Sequence, residues 1–291
     1  MKNINYENQV LESGVEQEPN PHVPIIDIVR HGRTKYKELT DPSFQFNPEA
    51  DDFKLDPEHL DLTAEGIEDE INAAHQLLEQ IDKENEVVIL ASSPNFRAQS
   101  SALVVEDILI KNGVRVLNSG KIMDTLKLRQ LTIKDKKDFP DWVAAAGKYD
   151  KDNPDRAKDT PDVKHPAIAE AMGHELSDLF AEGYPDIDKR FEDFVRYMTN
   201  IYNHLNPATQ AALEGKTIRV VALTHEEVSI TFLKKVLDIE QTTEKGQILQ
   251  LEPQDLMQPG TDVEVKVTLF PKPGVESQSG EATVAKKFTL K

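Results

Sequence analysis

The sequence predicts an α/β fold: a three-layer sandwich with a mostly parallel sheet flanked by helices, an inserted cap and a C-terminal β-hairpin extension. Two observations carry this. Short apolar, β-branched runs at residues 25–29, 87–90 and 218–223 have the length and composition of buried strands. Segments with apolar residues at helical spacing stand between them, and strand alternating with helix is the pattern of parallel sheets.

At 291 residues the chain has room for one large domain with an inserted subdomain. Its 34 Lys and Arg stand against 52 Asp and Glu, a net charge of −18, which disfavours general binding to nucleic acid or anionic membrane. An anionic substrate would need a local cluster of positive charge. The absence of cysteine excludes disulfides, thiolate catalysis and sulfur-ligated metals. With no apolar stretch near the ~18 residues of a membrane span and no signal-like h-region, a cytoplasmic location is the default expectation.

Taken in order, residues 1–22 read as a flexible polar leader and the domain proper as 23–251. After the first strand, 35–61 is a long loop rich in prolines and acids. Thr63 caps a helix with Ile67, Ile71, Ala74, Leu78 and Ile81 on its apolar face. After the second strand, Ser93-Pro94 places a capping hydroxyl ahead of a helix that stops at Asn112-Gly113, and 114–117 makes a third strand.

Residues 119–183 break the rhythm and read as the cap. Within 121–159 there are ten Lys or Arg against eight Asp, and Lys127, Arg129, Lys134, Lys136 and Lys137 are expected to help recruit an anion. Helices follow at 166–181 and 185–205, then the 218–223 strand and a helix bearing Ile230, Leu233 and Leu237. Alternating strands at 248–251, 263–269 and 282–290, with a Pro-Lys-Pro-Gly turn at 271–274, make the 252–291 extension.

In a parallel sheet the carboxyl ends of the strands share one rim, where ligands bind. That rim would gather Arg30 and His31 from the first strand, Arg97 from the helix after the second, and His225 after the 218–223 strand. Two guanidinium forks, two imidazoles and a helix amino terminus suit a phosphoryl group.

These residues also carry a resemblance. Arg30-His31-Gly32-Arg33-Thr34, Leu62-Thr63-Ala64-Glu65-Gly66, the segment from Ser92-Ser93-Pro94 through Arg97-Ala98 to Ser101-Ala102, and Thr224-His225 resemble, in order, the motifs of the histidine phosphatase superfamily, with its phosphoglycerate-mutase-like fold. The likeness covers about 24–115 and 185–250. It implies a metal-independent phosphatase, without cofactor, acting on a small phosphorylated substrate. His31 would be the nucleophile; Arg30, Thr34, Arg97 and His225 would bind the phosphoryl group. Many relatives carry a Glu in Leu-Arg-Glu that protonates the leaving oxygen. Here Leu128-Arg129-Gln130 stands instead, so Glu226, directly after His225, is the candidate acid, with Asp124 another. A phosphoglycerate mutase and an inactive relative that binds phosphorylated ligands are the alternatives; oligomeric state is unread.

Overall fold

The computed structural model describes residues 22–34, 61–156, 159–237, 243–256, 262–274 and 284–289. The expected leader and most of the long 35–61 loop lie outside these. The chain forms a seven-stranded sheet among the described residues, in the order β3-β2-β4-β1-β5-β6-β7. Here β1 is Ile25–Arg30, β2 Glu86–Ser92, β3 Met123–Asp124, β4 Thr217–Thr224, β5 Ile248–Pro253, β6 Asp262–Leu269 and β7 Val284–Thr289. The first four named in that order run parallel and β5, β6 and β7 are antiparallel, so the C-terminal extension continues the main sheet.

Strand alternation builds the layers. Ile26, Ile28, Val87, Ile89, Val220 and Ala222 face one way, onto α3 (Phe139–Asp152), α4 (Pro161–Ala171) and α6 (Tyr184–Thr199). Val29, Val88, Leu90, Val221 and Leu223 face the other way, onto α1 (Ala64–Gln80) and α2 (Phe96–Lys111). Each such buried side chain contributes about 1.5–3 kcal/mol, and together they fix the register that aligns the strand ends. Cap residues Phe139, Trp142, Val143 and Phe180 join the first of these cores. The short helices α5 (Leu176–Leu179), α7 (Ile201–His204) and α8 (Pro207–Ala212) complete that side, and α9 (Glu226–Leu237) follows β4.

On the α1 side, the other end of the strands holds a buried polar network. Arg219 bonds Asp27 at 2.9 Å and Glu86 at 2.6 Å, and Gln250 donates to Asp27 at 3.0 Å. Each buried charge there has a partner, so deleting one would strand another. No helix of the described residues is long and apolar enough to cross a membrane.

Several expectations are corrected. Residues 114–117 form no strand: a single Val88–Val116 bridge joins them to β2, and the third strand is Met123–Asp124. Asn118 competes there, its side chain bonding both backbone groups of Leu90. The expected 166–181 helix is two helices, because Gly173 takes φ +81° after α4 and Pro166 lies inside that helix instead of opening it. Residues 185–205 break at Asn200 into α6 and α7. The buried face of α1 is Gly66, Asp69, Glu70, Ala73, Ala74 and Leu77, leaving Ile67 42 % exposed. The rotation is forced by Gly66, whose backbone presses on the loop after β1. Residues 248–251 are buried on both faces, Gln250 reaching Asp27, so β5 has no wet face there.

Candidate active site

The turn after β1 is built on an interlock of two glycines. A Cβ on Gly32 would lie 2.2 Å from the Gly66 carbonyl oxygen, and one on Gly66 would lie 2.0 Å from that of Arg33. Only glycine fits either position, so the start of α1 clamps the loop bearing His31. Thr63 caps α1 by accepting from the Gly66 N–H at 3.1 Å, as its sequence position predicts. Asp69, one turn on, accepts from Arg33 and from the buried Lys272 at 2.7 Å. The extension thereby reaches back to brace the same loop.

His31 is 5 % exposed, and its backbone N–H donates to the Thr224 carbonyl at 2.9 Å. Its Nδ1 lies 2.7 Å from the Gly32 carbonyl, which can only accept, so Nδ1 carries the proton. The lone pair is then on Nε2, where Arg97 Nε donates to it at 3.2 Å. Burial, followed by the charges of Lys245, Arg97 and His225, holds the imidazole well below its usual range. A neutral ring with its lone pair on Nε2 is what attack on phosphorus requires.

Arg97 is 2 % exposed in the first turn of α2, and Gln130 Oε1 accepts from its guanidinium. The Gln130 amide therefore orients Arg97. Arg30, at the end of β1, makes an ion pair with Glu226 and donates to the Thr243 carbonyl. His225 is 1 % exposed, its ring 4.9 Å from that of His31. Its Nε2 lies 2.8 Å from Ser93 Oγ, and its buried Nδ1 has no partner among the described residues. Burial, then Arg97 and Lys245, pushes this imidazole well down too.

The structure thus brings together Arg30, His31, Arg97, His225 and Glu226. Thr34 does not join them through any recorded contact: it is buried in a backbone bridge to Leu62. Asp124 is exposed and lines a separate groove of about 280 Å³ with Ser92, Gln99, Leu103 and Lys121. Ser93 does not cap α2, which starts two residues later behind Asn95; it serves His225 instead. The expected basic recruiting stretch is partly engaged, with Lys134 bonded to the Ser177 carbonyl and Lys137 paired with Asp135.

Sequence reasoning missed Lys245 and Glu70. Lys245 sits in the loop before β5, beside β1, so an antiparallel neighbour delivers its loop to the same rim. Glu70 is buried beneath the loop bearing His31, among Ser101, Asp69 and Gly32, and desolvation pushes its carboxyl up to about 8. Its native value exceeds that of the unfolded chain, so stability is full at acid pH and is lost as pH rises from about 4.5 through about 8. Replacing Glu70 by Gln is expected to stabilise the protein at about pH 8 by on the order of 4 kcal/mol, and hardly at all near pH 4.5. Urea unfolding at the two pH values checks this; an equal effect at both would show that Glu70 does not titrate.

Arg97→Ala is expected to cost about 2–4 kcal/mol of transition-state stabilisation, mostly in kcat, on the scale of losing one preorganised donor. Steady-state kinetics checks it, and normal turnover would reduce Arg97 to a packing residue.

No family model and no curated protein matches this chain. Solved structures do. The chain is similar in structure to phosphoglycerate mutases and phosphatases. A phosphoglycerate mutase from Bacillus anthracis is 17 % identical, covering 81 % of this chain and 92 % of that one, with a TM-score of 0.47. The native mycobacterial glucosyl-3-phosphoglycerate phosphatase is 14 % identical over 84 % and 96 %, at 0.46. A phosphoserine phosphatase from Entamoeba histolytica is 14 % identical over 78 % and 90 %, at 0.39.

Proposed function

We propose that this protein is a phosphatase of the histidine phosphatase kind, hydrolysing a phosphate monoester through a phosphohistidine on His31. The observation that carries the reading is the state of His31: neutral, its Nδ1 proton given to Gly32 and its Nε2 facing Arg97. In this reading Nε2 attacks phosphorus, and the P–O bond to the alcohol breaks. Arg30, Arg97 and His225 hold the three non-bridging oxygens and stabilise their charge as it redistributes. No metal is asked for, since the guanidinium cations of Arg30 and Arg97 fill the place that Mg²⁺ takes in kinases.

Glu226 protonates the departing oxygen and then takes a proton from the water that cleaves the phosphohistidine, returning free phosphate and His31. Its position at the rim, directly after His225, supports this assignment, while Gln130 is committed to Arg97. The phosphatase reading is preferred to a mutase because that amide replaces the acid of the Leu-Arg-Glu pattern.

The test is to mix wild-type protein with a radiolabelled phosphomonoester, quench, and map the label. An acid-labile, base-stable phosphate on the peptide holding His31, with free phosphate as product, is expected. Label elsewhere would overturn the mechanism, and transfer to a second alcohol in place of water would favour the mutase.

A further inference from the structure

Two backbone hydrogen bonds tie the loop that carries Lys245 to the end of β1. Gly246 N–H donates to the Arg30 carbonyl at 2.8 Å, and Arg30 N–H donates to the Gln247 carbonyl at 3.3 Å. Gly246 has φ +70°, and a Cβ there would lie 2.6 Å from the Asp69 carbonyl oxygen. The loop can therefore take this course only with glycine at 246, and residue 245 is fixed beside the end of β1.

The charged groups that interact electrostatically with Lys245 lie on several elements around it: Arg30 at the end of β1, Arg97 on α2, and Glu226 and Glu227 at the start of α9. Lys245 acts in turn on His31, Glu70 and His225. The other cations are already engaged: Arg30 by Glu226 and the Thr243 carbonyl, Arg97 by His31 and Gln130. Lys245 makes no hydrogen bond or ion pair among the described residues. Its donors are the ones an incoming anion can use without breaking an existing contact.

We propose that Lys245 is a further anion-binding residue of this site, donating from its side-chain nitrogen to the oxygens of a phosphate dianion. The proposal rests on the phosphatase reading, since it assigns Lys245 to the phosphoryl pocket. The loop that carries it is tied to the backbone of Arg30, so the side chain starts from the rim where the anion would sit. The ligand class is a phosphomonoester dianion; a diester, with one charge fewer, is held less strongly.

Calorimetric titration of the full chain with inorganic phosphate measures the affinity of wild type and variants. Lys245→Met is expected to bind roughly 10- to 100-fold more weakly than wild type. Lys245→Arg, which keeps a positive charge, is expected to bind within a few-fold of wild type. Thermal unfolding identifies any variant that fails to fold, and Lys245→Gln takes the place of the Met variant if that one does. Wild-type affinity in the folded Met or Gln variant overturns the role of Lys245 and leaves the phosphatase reading standing. No phosphate binding by wild type overturns both.

Discussion

His31→Ala is expected to abolish turnover, lowering kcat by about 10⁶-fold, the scale on which loss of a nucleophile acts in covalent catalysis. The fold should survive. The ring is buried, but its backbone N–H bond to Thr224 and the Gly32–Gly66 interlock do not depend on the side chain. Single-turnover assays on protein with an unchanged unfolding midpoint check this. The trapped label must vanish with the activity, because a side chain that only positions substrate would lower the rate without abolishing the intermediate. Substantial residual turnover in this variant would remove His31 from the chemistry and leave its contact with Arg97 as its function.

The second large effect is on the proton. An alkoxide is a poor leaving group near neutral pH, whereas a nitrophenolate leaves without help. Glu226→Gln is therefore expected to slow alkyl phosphate hydrolysis by roughly 10²–10⁴-fold while sparing a nitrophenyl ester. The structure sharpens this comparison, because Glu226 also pairs with Arg30. Glutamine keeps an acceptor oxygen for that guanidinium but removes the titratable proton and the carboxylate charge. Equal losses on both substrates would mean that Glu226 acts by orienting Arg30. No loss on either would place the acid among the cap residues.

The frame was legible because period-2 burial and turn chemistry are local. The β1, β2 and β4 runs, the Thr63 cap and the Asn112-Gly113 stop all follow from neighbouring residues. The rim carrying Arg30, His31, Arg97 and His225 followed in turn from strand direction. What stayed hidden depends on contacts between distant segments. The face that α1 buries is set by the close approach of Gly66 to Gly32, which hydrophobic spacing alone misplaces by burying Ile67. Lys245 enters the site only because β5 runs antiparallel beside β1, a pairing that no residue near 245 announces. Ser93 has the local look of a helix cap, and only the position of His225 gives it a different partner.

The position of β1 has a consequence for how the chain is made. Of the described strands it is the first to leave the ribosome, yet it lies between β4 and β5, and the Arg30 carbonyl accepts a hydrogen bond from Gly246, more than 200 residues later. At about 5–20 residues per second, roughly 10–40 s pass before its neighbours exist. For that interval Ile26, Ile28 and Val29 have neither ladder partner, and an unpaired apolar strand is a template for association with other chains. A chain cut short before residue 217 would lack both strands that flank β1, leaving it a target for chaperones or proteases and without His225 and Glu226.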